Sequence, residues 1–475
     1  MRVAIFSDNF YPELGGIQDS ILSLGKELAR NGHSVAFFVP AASSADYRLA
    51  HLPEGELNLG KNISIYRLAS FPYPSPTKQS RFVMPTGFRF LALKKFNPDV
   101  IHTQTFFGVG VEALLAAKIL KVPLVGTNHW AITEFGHYSP FRLDSYKYYS
   151  LKLVSWYYDQ CDFVTAPSES VFTEMKKVGF YQSHQALSNP IETDIFKPLP
   201  EKEKIAAKKK FGLTAHTMVF AGRLASEKKM DILIRALALA QQSVPDICLA
   251  LAGHGSAEQD LRKLADKLGV SKKIIFTGTL SAGELAELYN GSEIFTIAST
   301  SETQSMTLIQ GLASGLPAIG VNYRALPEYI PASVGYLVQK DNPEAMAEKI
   351  VSVMTNDRQR KIMGKHAAEY AHNFSPKTIG QTWVTLYEKT AQEFDKTKPF
   401  LSPQLKKKTI IWSVEAVLSA CIIAIYTFFF VIKLFPHSVY ASNVLTQPTL
   451  KAKLAYTYTY LLEENDNKNE VSPSK

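Results

Sequence analysis

The chain opens with the sequence RVAIFSDNFYPELGGIQDSILSLGKELARNGHSVAFFVP at residues 2–40, in which two apolar runs flank an amphipathic helical pattern. We predict strands at Arg2–Ser7 and Ser34–Pro40 and a helix at Ile17–Arg30, which an Asn-Gly pair ends. Near-continuous apolar strands joined by a helix are typical of a parallel sheet covered on both faces. This stretch therefore predicts a strand–helix–strand unit of an α/β fold.

The same alternation recurs in two series, which predicts two doubly wound α/β domains of similar size. We place the first domain at residues 1–197, the second at 198–375 and a last helix at 376–395. The further strands are predicted at Val100–Thr103, Pro123–Thr127, Asp162–Ala166, Met218–Ala221, Cys248–Ala252, Ile274–Thr277, Ile294–Ile297 and Ala318–Val321.

Composition narrows the class of protein. The chain has 475 residues, 46% of them hydrophobic, which is typical of a globular protein with sizeable cores and excludes wholesale disorder. A net charge of +9 suits acidic ligands or an anionic membrane and is too small to indicate a nucleic-acid partner. The three cysteines have no paired or metal-ligand spacing, so we predict neither a disulfide framework nor a metal site.

We predict a transmembrane helix at residues 409–432, TIIWSVEAVLSACIIAIYTFFFVI, because a helix of that length rises about 36 Å. The three lysines at 406–408 place the large N-terminal part on the cytoplasmic side of a membrane to which the protein is anchored. A buried core helix is the alternative. Residues 396–408 are predicted as a basic linker and 433–475 as a polar tail.

Several polar or glycine positions follow predicted strands, at the edge of an α/β sheet where ligands bind. Gly15 and Gly16 lie between a strand and a helix, where the backbone can approach a phosphate or form an ordinary tight turn. The first strand lacks the G-x-G-x-x-G pattern, which disfavours a nicotinamide cofactor. Arg223 and Lys228 follow the first strand of the second domain, where two cations suit a diphosphate, although both could be solvated surface charges.

The sequence STSETQSMTLIQGLASGLPAIG at residues 299–320 predicts a loop followed by a helix from Thr307 to Ala313. The free N–H groups at such a helix start, near Ser305 and Met306, can face an anion. Glu302 can accept hydrogen bonds from sugar hydroxyls or cap the helix, and Gln310 can bond to hydroxyls or face solvent.

His129 ends the predicted strand PLVGTNHW. A lone histidine is usually structural, but beside a diphosphate site it can donate a hydrogen bond to a sugar hydroxyl or to developing charge.

Basic and aromatic residues alternate at 71–96, FPYPSPTKQSRFVMPTGFRFLALKKF, and we predict one short helix there that lies at an anionic membrane. The alternative is that the aromatic side chains pack inside the first domain. The basic residues assigned to the membrane or acceptor are Arg81, Arg89, Lys94 and Lys95.

Taken together, the motifs resemble glycosyltransferase family 4 over about residues 1–395. That resemblance implies the GT-B fold, with two Rossmann-like domains facing across a cleft. Within the family, the chain looks like diacylglycerol glucosyltransferases and phosphatidylinositol mannosyltransferases. The motifs are FYPELGGI at 10–17, PDVIHTQ at 98–104, TNHW at 127–130, SNPIETDIFKP at 188–198, AGRLASEKK at 221–229, AGHG at 252–255 and SETQSMTLIQGLASGLP at 301–317.

The resemblance also implies site residues. Arg223 and Lys228 neutralise the donor diphosphate, Glu302 holds the donor sugar and His129 faces the transferred sugar. The family has a second Glu for the ribose where this chain has Gln310, which keeps an acceptor but loses charge assistance. The implied donor-binding residues are Gly15, Gly16, Gly253, Ser305, Met306, Thr307 and Gln310.

The resemblance implies a retaining transferase that moves a hexose, with UDP-glucose as the expected donor, to a membrane lipid hydroxyl such as that of diacylglycerol. No cofactor is expected, because the leaving diphosphate helps to deprotonate the acceptor and two cations replace a metal. The expected partners are the nucleotide sugar, the lipid and an anionic membrane. The alternatives are a transferase for a polysaccharide or glycan precursor and an inactive membrane scaffold with this fold.

Overall fold

The computed structural model describes residues 1–13, 15–50, 52–72, 80–86, 90–130 and 144–397. Within that part, the chain forms two compact units. Of the described residues, the first contains those of Met1–Ser188 and those from 379 to 397, and the second contains Asn189–Thr378.

The first unit is built on a seven-stranded parallel sheet with the strand order β3-β2-β1-β6-β7-β8-β9. A separate antiparallel pair, β4 and β5, completes its strands. The strands are β1 (Arg2–Phe6), β2 (Ser34–Pro40), β3 (Ile63–Leu68), β4 (Phe71–Pro72), β5 (Arg81–Phe82), β6 (Val100–Thr103), β7 (Leu124–Thr127), β8 (Phe163–Ala166) and β9 (His184–Ala186). The helices are α1 (Gly16–Arg30), α2 (Ser44–Ala50), α3 (Phe90–Phe96), α4 (Gly108–Leu120), α5 (Asp144–Tyr158) and α6 (Glu169–Lys176).

The second unit repeats this plan with a six-stranded parallel sheet in the order β12-β11-β10-β13-β14-β15. Its strands are β10 (Thr217–Ala221), β11 (Cys248–Ala252), β12 (Ile274–Gly278), β13 (Ile294–Ile297), β14 (Ala318–Val321) and β15 (Gly335–Val338). Its helices are α7 (Glu201–Phe211), α8 (Met230–Ala240), α9 (Glu258–Lys267), α10 (Ala282–Asn290), α11 (Met306–Ala313), α12 (Leu326–Tyr329), α13 (Pro343–Met354) and α14 (Asp357–Ala371). The chain continues into a final helix, α15 (Pro376–Glu393), of which the part from Ile379 belongs to the first unit.

Both sheets reverse their strand order beside the first strand of the unit, between β1 and β6 and between β10 and β13. Helices cover the apolar strands, and the cores combine buried helix residues with strand residues such as Phe6, Phe38, Phe220 and Phe295. In open α/β sheets, ligands bind beyond the carboxyl ends of the strands at such reversal points. The topology therefore predicts ligand sites at the loops after β1, β6, β10 and β13.

The predicted fold class needs a correction, because it included a transmembrane helix. In the described ranges no helix is long and apolar enough to cross a membrane. The longest of them, α15, carries Lys377, Glu388, Lys389 and Glu393, whereas a span needs about 20 predominantly apolar residues. The predicted segment 409–432, like the linker from 398 and the tail, lies outside the described residues. The described part of the chain is therefore a two-unit α/β fold without a membrane span.

The prediction of one short helix across residues 71–96 is also wrong. The described parts contain the β4–β5 hairpin, in which Phe71 opposes Phe82, and only then the short helix α3. Pro72 and Pro85 explain the difference, because proline lacks the N–H donor that a helix interior requires.

Candidate functional site

A partly buried ion pair lies at the reversal point of the second sheet. The loop after β10 forms a turn of 3-10 helix at Ser226–Lys228, and the loop after β13 carries Glu302. Because β10 and β13 are neighbours, the two loops meet, and Lys228 Nζ lies 2.7 Å from Glu302 Oε1. The side chains are only 19% and 9% exposed. The sheet order thus joins two side chains that are 74 positions apart in the sequence.

Arg223 lies on the same loop but has a different partner. Its guanidinium donates a hydrogen bond to Glu227 at 2.7 Å and is 56% exposed. The backbone N–H of Thr300 donates to the carbonyl oxygen of Glu227, which ties the loop after β13 to the loop after β10. Arg223 is therefore an exposed cation on the same loop as Lys228, and Glu227 holds one end of its guanidinium.

Helix α11 begins one residue earlier than predicted, at Met306. The Ser305 hydroxyl caps it by accepting a hydrogen bond from the N–H of Leu308 and lies 3.3 Å from the Thr307 hydroxyl. Glu302 is therefore not the capping side chain. Gln310 is 4% exposed and lies on the second turn of the same helix.

Gly253 follows β11 at a place where the backbone requires glycine. Its φ of +132° is a conformation that residues with a side chain rarely adopt. A Cβ atom there would lie 2.0 Å from the carbonyl oxygen of Gly222, at the end of β10. This close approach holds the two loops together at the carboxyl edge of the sheet.

In the first unit, Gly15 and Gly16 occupy the start of the 15-residue helix α1. Gly15 is the N-cap residue with φ 170°, which is extended backbone, and its carbonyl oxygen accepts a hydrogen bond from the N–H of Asp19. The two glycines thus lie at a helix N-terminus, where anions are favoured.

His129 follows β7 and is 9% exposed. Its Nε2 lies 2.7 Å from Gln104 Oε1, and the Gln104 amide nitrogen lies 3.1 Å from His102 Nδ1. Burial lowers the pKa of His129 to about 4 and lowers that of His102 well below its usual value, so both imidazoles are neutral near pH 7. Any interaction of His129 with a ligand near neutral pH is therefore that of an uncharged ring.

Arg81 belongs to a polar pocket rather than to an open surface. Its guanidinium is 13% exposed and bonds to Asp46 at 2.6 Å and to Ser70. The same pocket includes Asp8 and Glu13, and burial raises their pKa values to about 6 and about 7.

Lys94 and Lys95 lie exposed on α3, whose opposite side buries Leu93. Arg89 lies outside the described residues. Large apolar side chains are exposed nearby in sequence, and we call this set together with the two lysines the aromatic–basic surface. Its apolar members are Phe71, Phe82, Met84 and Leu91, between 37% and 65% exposed.

Sequence reasoning missed several residues that organise these loops. Gln304 bonds twice to the backbone of Asn189, and Glu227 anchors Arg223. Both lie inside the family motifs, but nothing in a motif reveals which polar member turns toward the protein. The described residues contain no group of three His, Cys, Asp or Glu side chains arranged to hold a metal ion.

Comparisons with known proteins agree with this two-unit organisation. Residues 14–194 match the model of Glycosyltransferase Family 4, and residues 201–370 match that of Glycosyl transferases group 1. The alpha-monoglucosyldiacylglycerol synthase of Streptococcus pneumoniae is 29% identical over 67% of this chain and 70% of its own length. The enzyme of the same name from Acholeplasma laidlawii is 24% identical over 82% of this chain and 96% of its length. The D-inositol 3-phosphate glycosyltransferase of Corynebacterium glutamicum is also 24% identical, over the same shares.

Solved structures share the fold. The Anabaena protein HepE, determined in complex with UDP, superposes with a TM-score of 0.65 at 18% identity, over 82% of this chain and all of that chain. Sucrose-phosphate synthase of Thermosynechococcus elongatus superposes with a TM-score of 0.62 at 17% identity, over 82% of this chain and 98% of its own. With both units matched by adjacent family models and with the GT-B fold, the chain belongs to the family 4 glycosyltransferases and is a sugar-transferring enzyme.

Proposed function

We propose that this enzyme transfers a hexose from a nucleotide sugar, with UDP-glucose as the expected donor, to a hydroxyl group of a membrane lipid such as diacylglycerol. The observation that carries the proposal is the Lys228–Glu302 pair at the reversal point of the second sheet. The relatives named alpha-monoglucosyldiacylglycerol synthase support the choice of sugar and lipid.

The pair suits a donor that carries both a diphosphate and a sugar. Lys228 supplies a compact positive charge for phosphate oxygens, and the accessible guanidinium of Arg223 can chelate two of them. Glu302 is acceptor-only when ionised, so it suits sugar hydroxyls, which donate. Both ends of such a ligand would therefore meet side chains of matching chemistry within one loop cluster.

The helix start at α11 adds donors for the same ligand. The first backbone N–H groups of a helix have no partner within the helix, and their dipoles favour negative charge. We assign Ser305, Met306 and Thr307 to donor contacts on this basis, and we assign Gly253 to a backbone role, since a side chain there would overlap Gly222. Gln310 is the residue proposed to bond with the ribose.

Catalysis then needs no covalent intermediate on the protein. We propose that the cations Lys228 and Arg223 stabilise the negative charge that grows on the diphosphate as the bond to the sugar breaks. The leaving phosphate oxygen accepts the proton of the attacking lipid hydroxyl on the same face of the sugar, so the anomeric configuration is retained. Gly16 at the start of α1 and the neutral His129 are the contacts proposed from the first unit.

The aromatic–basic surface supports a lipid acceptor. Two exposed lysines attract anionic headgroups, and exposed Phe71 and Phe82, paired across a hairpin, offer apolar area to the bilayer interface. Arg81 is excluded from this surface because Asp46 and Ser70 occupy its guanidinium.

The test uses the full-length protein with anionic liposomes that contain diacylglycerol, separately with labelled UDP-glucose and GDP-mannose. We expect label in the extracted lipid with UDP-glucose, and we expect Glu302→Ala to abolish it. Label from GDP-mannose alone would contradict the proposed sugar. Absence of labelled lipid with both donors, although UDP binds, would contradict the lipid acceptor and favour a polysaccharide precursor as the acceptor.

The matched control is Lys208→Met. Lys208 forms another partly buried ion pair of the second unit, 2.6 Å from Glu293, away from the reversal point. We expect this variant to lose stability but to keep transfer, which separates a role in the reaction from a role in folding.

A further inference from the structure

Three aromatic side chains meet in the loops after β6 and β7 of the first unit. The rings of Phe106 and Phe107 have centroids 4.2 Å apart, and those of Phe107 and Trp130 are 6.4 Å apart with an interplanar angle of 85°. Phe106 and Trp130 are partly buried and pack against the core of the unit, whereas Phe107 is 50% exposed. We call these three residues the aromatic cluster.

The aromatic cluster lies beside His129, for which we propose a contact with the transferred sugar. Trp130 directly follows His129 in the sequence. On the neighbouring loop, Gln104 lies two residues before Phe106 and contacts the His129 ring at 2.7 Å. The half-exposed ring of Phe107 therefore adjoins the place where, on the proposed function, the acceptor presents its hydroxyl group.

Helix α4 joins the aromatic cluster to the aromatic–basic surface. Phe107 is the N-cap residue of this helix, and Gly108 begins it. A Cβ atom on Gly108 would lie 2.1 Å from the carbonyl oxygen of Val83, so the backbone after β5 lies against the helix start. The N–H of Thr86 donates to the carboxylate of Glu112 on α4 at 2.8 Å, which holds the same segment in place.

Exposed apolar side chains therefore extend from the aromatic–basic surface to the aromatic cluster. Phe82 and Met84 flank the residue that lies against the start of α4, and they are 37% and 57% exposed. This backbone contact makes both of them near neighbours of Phe107. Helix α3, which carries the two lysines of the aromatic–basic surface, also packs on α4. One side of the unit thus presents positive charge, then exposed apolar residues, and finally the loop that contacts His129.

We propose that the aromatic cluster binds a hydrocarbon chain of the lipid acceptor, with Phe107 as the contact for that chain. This inference rests on the proposed function and deepens it, because it assigns a place to the apolar part of the acceptor. Charge complementarity supports a lipid as the occupant, since the lysines suit anionic headgroups at the membrane and the apolar residues continue from them. An aliphatic chain gains free energy in proportion to the apolar area that it covers, and Phe82, Met84 and Phe107 present such area to solvent.

The direct test uses a diacylglycerol that carries a diazirine in the middle of one acyl chain, in anionic liposomes with the full-length protein and without a sugar donor. Irradiation, proteolysis and mass spectrometry identify the labelled peptides. We expect label on the peptide that contains Phe106 and Phe107 or on the peptide that contains Trp130. Absence of label from both peptides would overturn the proposal, wherever else in the chain label is found.

A second probe separates an acceptor site from a general contact with the bilayer. It is a phosphatidylcholine with the same diazirine chain, at the same mole fraction in the liposomes. Its headgroup replaces the free glycerol hydroxyl, so we expect it to label the aromatic cluster much more weakly than the diacylglycerol does. Equal labelling by the two probes would contradict a site for the acceptor.

Kinetics with acceptors of different chain length test the contact with Phe107. We expect Phe107→Ser to raise KM for dioleoylglycerol about fivefold, as expected for the loss of part of the apolar contact of a phenyl ring, with UDP binding unchanged. For dibutyrylglycerol, whose short chains offer the ring little area, we expect a change of less than about twofold. Equal changes with the two acceptors would contradict a contact with the acyl chain and indicate a contact with the glycerol or the sugar.

The matched control is Ile119→Ser. Ile119 lies near the other end of α4 and is 53% exposed, so this variant removes a similarly exposed apolar side chain next to the same helix. We expect both serine variants to co-sediment with anionic liposomes equally well, and only Phe107→Ser to lose label and raise KM, while Phe107→Leu retains both properties. Equal losses in the two serine variants would contradict the proposal. The labelling requires no sugar transfer, so failure of the proposed function and failure of the acyl-chain site are distinguishable.

Discussion

The two units present opposite chemistry at the carboxyl edges of similar sheets. In the second unit the loops after β10 and β13 bring together a full positive and a full negative charge, 2.7 Å apart. In the first unit the residues after β6 and β7 form a buried chain of uncharged groups that ends at His129. The two sheets share a topology that puts loops at the carboxyl edge, and the side chains of those loops determine whether the site is charged.

The difference matters because charges and neutral hydrogen bonds respond differently to a ligand. Each side chain of a largely buried ion pair can exchange the other for a charged group of a ligand, since a buried charge must remain compensated. A neutral network carries no charge that attracts a diphosphate, but its hydrogen bonds can hold one ring in place. We therefore expect the second unit to determine donor affinity and the first to determine the orientation of a reacting group.

Substitution of Lys228 should have the largest effect. In Lys228→Met the diphosphate loses its compensating charge, and we expect transfer to slow by about 10²-fold to 10³-fold, as when one group that stabilises transition-state charge is removed. Lys229→Met is the matched control, because the neighbouring Lys229 pairs with Asp341 and is more exposed. Steady-state rates with saturating donor are the measurement, and an equal loss in both variants would contradict a specific role for Lys228.

Substitution of Gly253 should have the next largest effect, on stability. Gly253→Ala forces a side chain into a backbone conformation at φ +132° and against the Gly222 carbonyl, and we expect a loss of about 2–3 kcal/mol. Gly283→Ala, where nothing lies within 4 Å of the new Cβ in helix α10, should be neutral or slightly stabilising. Thermal unfolding of the full chain compares the two, and equal midpoints would show that the close approach of the loops is unimportant.

Charge reversal on α3 should weaken membrane binding without changing the donor site. We expect Lys94→Glu with Lys95→Glu to reduce binding to anionic liposomes by about tenfold or more, since each lysine near such a surface contributes about 1 kcal/mol. Lys202→Glu with Lys209→Glu, on the exposed side of α7, is the matched control. Co-sedimentation at low and high salt provides the measurement. Equal losses in the two double variants would indicate a general effect of net charge.

The smallest effect concerns Glu13, a partly buried carboxyl group in the loop after β1. Burial raises the pKa of Glu13 from 4.5 to about 7, so the folded protein retains a proton that the unfolded chain releases. The proton on Glu13 stabilises the folded state fully below pH 4.5, and this stabilisation is lost as the pH rises through about 7. Because Glu13 is partly exposed, we expect this loss to be about 1 kcal/mol.

Glu13→Gln should remove this pH-dependent loss, since its amide does not titrate. Glu369→Gln, at a 61% exposed side chain, is the control and should leave the profile unchanged. Chemical unfolding at pH 5 and pH 7.5 measures both variants. An identical pH dependence in Glu13→Gln and the unsubstituted chain would contradict a raised pKa at this site.

The strands near the chemistry were predictable because apolar runs report burial directly. Cys248–Ala252 and Ala318–Val321 are observed with the predicted limits, whereas β3, with the mixed sequence ISIYRL, was missed. Within 71–96 the error was the reverse: a helix was predicted where the structure has the β4–β5 pair before α3. The pattern of basic and aromatic residues does not take into account that proline interrupts a helix. Short, half-exposed elements carry little periodic signal.

The candidate site was predictable only as a set of residue types at strand ends. The sequence indicates that Lys228 and Glu302 follow strands, but their contact depends on β10 and β13 being neighbours, which only the strand order provides. The partner of His129 was beyond sequence reasoning, because its contact with Gln104 depends on β6 and β7 being neighbours in the sheet.

We infer that the Lys228–Glu302 pair of the second unit recognises the donor diphosphate, whereas the neutral network of the first unit does not. Calorimetric binding of UDP to the full-length protein, to Lys228→Met and to Gln104→Leu tests this inference. We predict that Lys228→Met weakens UDP binding by about tenfold or more, while Gln104→Leu changes it by less than about twofold. Equal affinities of Lys228→Met and the unsubstituted protein, or an equal loss in both variants, would contradict the claim.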